Sequence, residues 1–247
     1  MTRTFFQAYS TQKDGNLSFL YGEKIQVIQN REKFLKNYNI NINDCVALRT
    51  QHKTEIQVVD SSFKEKGMRE IESAVHVDAL ITRDKDLILF LLTADCLPLT
   101  FYDVANKVIG LAHLSRENTG LRFVQKIVKT FTNQFQSNPK NIHVSIGPGI
   151  HQESYVKNSK IFDSLSSESY KDWKPFLTRL PNGKISIDLI GYNVAQLRNE
   201  GITRQNITVS SIDTFQSNDY FSHRRSEIMG EQDGRFATIV SMDARNG

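Results

Sequence analysis

Four apolar β-type runs crowd the centre of this chain: Ala79-Leu80-Ile81, Leu87 to Leu92, Leu97 to Tyr102 and Val108 to Ala112. Short connections join them, and Asp103-Val104-Ala105-Asn106-Lys107 reads as the polar turn of a hairpin between the last two. So many strands in so little chain demand a sheet. Further strand-like runs lie at Val46-Ala47-Leu48, Ile56 to Val59, Ile142 to Ile146, Ile207 to Ile212 and Ala237 to Met242. Residues Glu23 to Tyr38 read as a helix with Ile25, Ile28, Phe34 and Leu35 roughly on one face. Leu121, Val124, Ile127, Val128, Phe131 and Phe135 recur at three- and four-residue steps, the mark of an amphipathic helix with Asn118 or Thr119 as N-cap. A third helix is expected from about Asp188 to Asn199, stopping at Gly201. These helices interrupt the strands irregularly, which favours an α+β fold over a regular βαβ repeat. No linker, repeat or low-complexity tract divides the chain, so residues 1–247 read as one domain.

Composition narrows the function classes. There is no apolar run of about 18 residues, hence no expected membrane helix. Met1 to Phe6 lack the apolar core of a secretory signal. Two cysteines, Cys45 and Cys96, make no disulfide framework, so a reducing cytoplasm is the expected compartment and Cys45 is taken as a core residue. Lysine and arginine are spread along the chain without a basic block, which argues against a nucleic-acid partner. A net charge of +4 leans weakly toward an anionic substrate. Nothing points to an oligomer, and a monomer is expected.

Chemistry enters at the ends of the central runs. Cys96 follows Leu89-Phe90-Leu91-Leu92, and His113 follows Val108-Ile109-Gly110-Leu111-Ala112. Were the two runs adjacent strands, thiol and imidazole would face each other across their ends. Such a pair binds a transition metal, forms a nucleophile with its base, or is a buried cysteine near an unrelated histidine. His52, in Arg49-Thr50-Gln51-His52-Lys53, would alone be a surface histidine. Together with Cys96 and His113 it completes a Cys-His-His set, and three protein ligands with one open position is the pattern of a catalytic zinc. His76, His143, His151 and His223 stand in less suggestive contexts. The His-x-Glu and Pro-Cys-x-x-Cys pattern of zinc nucleobase deaminases is absent, as are phosphate-loop and dinucleotide glycine motifs. Near the C-terminus, Tyr220-Phe221-Ser222-His223-Arg224-Arg225 and Gly234-Arg235 read as loops whose arginines are either solvated or hold an anion.

The order His52, Thr93-Ala94-Asp95-Cys96-Leu97-Pro98, Gly110-Leu111-Ala112-His113 resembles the laccase-domain family. Its members were formerly called multicopper polyphenol oxidoreductases and are now described as zinc-dependent purine nucleoside phosphorylases. The resemblance runs along nearly the whole chain. It includes Asn30-Arg31, Asp78-Ala79-Leu80-Ile81-Thr82, Gly147-Pro148-Gly149-Ile150 with Tyr155, and Ile187-Asp188-Leu189 with Asn193, Gln196-Leu197 and Gly201. Phe221-Ser222, Arg224-Arg225 and Gly234-Arg235 complete it. It implies an α/β sandwich with mixed sheets and flanking helices, shared with the catalytic domain of a deamidating toxin. It also implies zinc on His52, Cys96 and His113, and cleavage of adenosine, inosine, guanosine or methylthioadenosine with phosphate, together with adenosine deamination. Arg116, Arg224 and Arg235 become candidates for anion binding.

One departure falls at the site itself. Where the family reads His-Ala-Gly-Trp-Arg-Gly-Thr, this chain has His113-Leu114-Ser115-Arg116-Glu117-Asn118-Thr119, so Glu117 stands at the arginine position. A carboxylate there would repel phosphate. The metal set is retained while the substrate shell is altered. Two other readings follow: a metal-free hydrolase with Cys96 as nucleophile and His113 as base, or a catalytically silent nucleoside-binding protein. Copper oxidase chemistry is disfavoured, because three ligands including one thiolate do not supply several copper centres.

Overall fold

The central β-type runs separate into two sheets packed face to face. A computed structural model describes residues 5–163 and 165–242, so part of the segment read for a secretory signal lies outside the described residues. The strands are β1 (Phe6–Tyr9), β2 (Cys45–Ala47), β3 (Ile56–Val58), β4 (Ala79–Thr82), β5 (Ile88–Thr93), β6 (Leu97–Asp103) and β7 (Val108–Leu114). They continue with β8 (Ile142–Ile146), β9 (Val156–Asn158), β10 (Leu177–Arg179), β11 (Lys184–Ile187), β12 (Ile207–Val209) and β13 (Phe236–Ser241). The α-helices are α1 (Lys24–Lys36), α2 (Arg116–Gly120), α3 (Phe123–Phe135), α4 (Ser167–Trp173), α5 (Leu189–Asn199) and α6 (His223–Met229). One mixed sheet has the order β1-β13-β5-β2, and a larger mixed sheet the order β12-β8-β6-β7-β4-β3. A small antiparallel sheet has the order β10-β11-β9.

Alternation along β5 shows how the layers stack. Ile88 and Phe90 pack with Phe34 and Leu35 of α1, while Leu89 and Leu91 pack with Leu80, Ile109 and Leu111 of the larger sheet. The other face of that sheet, with Leu97, Leu99, Phe101, Ala112 and Leu114, carries Val124, Ile127 and Phe131 of α3. Both sheets are thus covered on both faces, which is why their strands read as uninterrupted apolar runs. Gly110 lies directly beneath Phe131, where a Cβ would stand 3.1 Å from the ring. The expected β6–β7 hairpin is present.

Four local expectations are corrected. Ile25 is 73% exposed, and α1 instead buries Val27, Arg31, Phe34 and Leu35, because an arginine occupies an inward position. The helix expected from Leu121 is two helices. Ser115 caps α2 in a reciprocal box with Asn118, and Arg122 adopts a left-handed conformation (φ 57°) before α3, leaving Leu121 63% exposed. The run from Ile207 pairs with β8 only as far as Val209. Residues 223–229, read as loop, form α6, with Ser222 as its cap. Strand β1, the β9–β11 sheet and α4 are short and polar enough to leave no periodic signal.

Candidate functional site

Strands β5 and β7 belong to different sheets, so the condition under which Cys96 and His113 would face each other across those two runs is not met. The chain crosses from β5 to β6 through Ala94-Asp95-Cys96, and β6 then pairs with β7 so that Pro98 lies opposite His113. Asp95 adopts a positive φ of 81° at this crossing, a conformation that needs outside support. Its carboxylate accepts hydrogen bonds from the Thr214 hydroxyl (2.7 Å) and the Arg224 amide (2.6 Å), and its carbonyl accepts the Ile150 amide (2.9 Å). Three distant segments therefore hold the residue that presents Cys96.

Asp78 performs the same service for the histidines. Fully buried just before β4, its carboxylate accepts the backbone amides of Gln51 (3.1 Å), His52 (3.1 Å) and Lys53 (2.9 Å). It also bonds His113 Nδ1 at 2.9 Å, and its carbonyl accepts the His113 amide at 2.8 Å. One carboxylate thus fixes the loop carrying His52 and orients the His113 ring. The two imidazoles meet edge to face with centroids 4.8 Å apart. Burial lowers the His113 pKa against the opposing pull of Asp78, whose carboxylate engages Nδ1. The bonds from His113 and the backbone hold the Asp78 carboxyl below its usual range although burial opposes them.

Glu117, on α2, sits among these groups. Its Oε2 lies 3.7 Å from His52 Nδ1, and its Oε1 bonds Arg116. Pairing with His52 holds the Glu117 carboxyl down to about 2, with Arg116 adding to the effect, and the same pairing raises His52. Helix α2 is locked in turn by α5, where the buried Asn193 and Gln196 amides bond the Thr119 hydroxyl (3.0 Å) and carbonyl (2.9 Å). Burial, then the carboxylates of Asp95 and Glu117, push the Cys96 thiol up to about 12. Among the described residues no three His, Cys, Asp or Glu side chains stand together as a ready-made metal cage. His52 turns its Nδ1 toward Glu117 instead.

A cavity opens beside Cys96. Ala94, Ile150, Tyr155 and Leu189 give it apolar walls, and Arg116, Lys157 and Arg224 bring cations to it, the first paired with Glu117 and the other two with Glu227. Burial keeps the Tyr155 hydroxyl protonated. Arg116 and Arg224 were expected near the site and line this cavity, whereas Arg235 does not line it and acts on Cys96 and His52 only through its charge. Arg225 is structural: it is buried and donates to the carbonyls of Thr214, Phe215, Ser217 and Tyr220. Asp78, Asp95, Tyr155, Lys157 and His223 were not among the expected site residues. Asp78 and Asp95 had a signal, since each stands in a quoted motif, but neither spacing nor composition says what a carboxylate there accepts.

The sequence pattern of the family described as multi-copper polyphenol oxidoreductase laccase matches residues 4–243. Purine nucleoside phosphorylase YlmD of Bacillus subtilis (strain 168) is 27% identical over 90% of this chain and 80% of its own length. Adenosine deaminase RL5, from an unknown prokaryotic organism, is 26% identical over 88% of this chain and 82% of its own. The crystal structure of YlmD from Geobacillus stearothermophilus superposes with a TM-score of 0.89 at 25% identity, covering 97% of this chain and 92% of that one. Packed mixed sheets, the Asp95-Cys96 crossing and the match over almost the full length agree, and the chain belongs to the multi-copper polyphenol oxidoreductase laccase family.

Proposed function

We propose that this protein is a purine nucleoside phosphorylase that uses zinc held by His52, Cys96 and His113. The observation that carries the reading is the placement of Asp78. It ties the His52 loop and the His113 ring to one buried carboxylate, and a carboxylate bonded to one ring nitrogen orients a histidine to ligate a metal through the other. A thiol and two imidazoles suit zinc, and a thiol held up to about 12 is a poor nucleophile at neutral pH, which weighs against a metal-free Cys-His hydrolase. Zinc, when bound, supplies a Lewis acid that polarises an oxygen and stabilises developing negative charge. To ligate it, His52 must exchange Glu117 for the metal.

The names of two relatives supply the substrate class, purine nucleosides with phosphate, and a second activity, adenosine deamination. In phosphorolysis a phosphate oxygen bonds to the sugar C1′ as the C1′–N bond breaks. The electron pair passes to the purine, which takes up a proton, and the other product is the pentose 1-phosphate. Arg116, Lys157 and Arg224 are the residues to hold the phosphate and neutralise its charge. The apolar walls at Ile150, Tyr155 and Leu189 suit the purine face. A second reading, a silent nucleoside-binding protein, is favoured by Glu117 alone, since its carboxylate lines the cavity and occupies His52.

The test is chromatographic product analysis of zinc-loaded protein with adenosine, with and without phosphate, beside Cys96→Ala. Adenine formed only with phosphate and lost in the variant is the expected result. Inosine formed without phosphate would add the deaminase activity. Bound adenosine with no product from adenosine, inosine or methylthioadenosine would establish the silent reading.

A further inference from the structure

A second cavity opens beside the segment that leads to His52, with Arg49 and Thr50 in its wall. It shares no lining residue with the cavity at Cys96. Its lining includes three arginines, Arg31, Arg49 and Arg235, and no aspartate or glutamate.

The charges of these arginines are poorly matched by protein. Arg31 is 2% exposed, and its partners are carbonyls: Nε donates to Leu17 O (2.8 Å), and Nη1 to Gly67 O (2.7 Å) and Met68 O (3.0 Å). Its Cζ lies 4.3 Å from the Phe19 ring centroid, and no carboxylate pairs with it among the described residues. Arg49 likewise makes no ion pair among the described residues. Arg235 is half-neutralised: Nη1 bonds Asp233, whose other oxygen bonds His223, while Nη2 donates to the Tyr21 hydroxyl (2.6 Å). A buried, unpaired cation is expensive, and here the buried Arg31 lines one open cavity together with the half-buried Arg49 and the partly paired Arg235.

We infer that this cavity binds a phosphoryl group, with Arg31, Arg49 and Arg235 as its charge partners. Charge matching separates a phosphoryl dianion from a carboxylate: one arginine would satisfy a carboxylate, whereas several oxygens and two charges answer the unmatched guanidiniums. Ser18 adds a hydroxyl whose oxygen already accepts the Leu20 amide and whose proton is available to donate. The apolar surface of Phe19 lies beside the arginines, where the sugar of a phosphate monoester would rest. Inorganic phosphate and a pentose phosphate monoester share this chemistry. The site stands apart from the phosphate-holding residues Arg116, Lys157 and Arg224 of the reading above, and its occupation would place negative charge against Arg235, whose field reaches Cys96 and His52.

The test uses full-length Cys96→Ala protein, so that binding is read independently of turnover. Calorimetric titration would be made with inorganic phosphate, ribose 5-phosphate and, as a neutral control, ribose. Each titration would be repeated with Arg49→Ala or Arg116→Ala added. The expected result is 1:1 binding of a phosphorylated ligand, weakened by about tenfold or more in Arg49→Ala and persisting in Arg116→Ala. Ribose 5-phosphate binding more tightly than inorganic phosphate would identify a monoester site, and equal affinities a site for free phosphate. Binding that survives Arg49→Ala but is lost in Arg116→Ala would overturn the inference, as would the absence of binding at millimolar ligand. Because Cys96→Ala is the inactive control of the activity test, a failure of phosphorolysis and a failure of this site are read separately.

Discussion

At the scale of single residues, Asp78 carries more of the site than any of the three candidate ligands. Removing its carboxylate leaves three backbone amides and His113 Nδ1 without their acceptor. Asp78→Ala is therefore expected to lower stability by about 3–5 kcal/mol in urea unfolding. In whatever fraction remains folded, zinc affinity is expected to fall by about 10- to 100-fold. A loss of stability below about 1 kcal/mol would show that the His52 loop is held by something else. Glu117 acts in the opposite sense. Under the proposed zinc reading its half-exposed ion pair with His52 would compete with the metal, so Glu117→Gln is expected to tighten zinc binding by only about two- to fivefold, measured by competition with a chromophoric chelator. Unchanged or weaker affinity would remove the competition.

At the scale of elements, the site depends on a turn that touches both sheets. Gly147 follows β8, and a Cβ there would stand 2.6 Å from the Tyr9 ring and 2.9 Å from Pro98 Cγ. Two residues on, a Cβ at Gly149 would stand 2.5 Å from Leu97 Cδ2 and 3.2 Å from the Asp95 carbonyl oxygen. The close approach permits the bond from the Ile150 amide to Asp95 that helps to hold the β5–β6 crossing. Gly149→Ala pushes this turn away from the crossing. We expect a cost of about 1–3 kcal/mol in thermal unfolding and a fall in bound zinc, since Cys96 follows Asp95 directly. Wild-type stability with full zinc content would mean that the turn yields without moving the crossing. Gly147-Pro148-Gly149-Ile150 was legible as a motif and as a turn. Its contact with the crossing was not, because the partners lie some fifty residues away along the chain.

For the whole molecule, the buried polar hub makes stability depend on pH. Asp78 has a folded pKa below its ordinary 3.8, so its contribution is complete above that value and is lost as pH falls through the folded one. His113 is buried with a pKa below its ordinary 6.5, so acidification below 6.5 protonates the unfolded chain first and favours unfolding. The raised pKa of His52 works against this, but its half-exposed pair with Glu117 is screened. The urea midpoint is thus expected to decline gently below about pH 6.5 and steeply below about pH 4. Asp78→Asn should blunt the steep part, and an unchanged acid limb in that variant would assign it to other carboxylates. What the sequence determined by itself was the set of central strands, the helix under the larger sheet, and the candidate trio of His52, Cys96 and His113. Strands buried on both faces and amphipathic helices write their burial into local apolar spacing, so these needed no partner to be seen. Only the tertiary structure decided that the strands divide between two sheets and that Cys96 lies in the crossing between them. It alone turned Asp78 and Asp95 into hubs, made Arg225 a brace and Arg224 a cavity wall, and gathered three arginines around a second cavity. Hydrogen bonds and charge pairs of that kind join residues far apart in sequence, and no local pattern records which donor a buried carboxylate will meet.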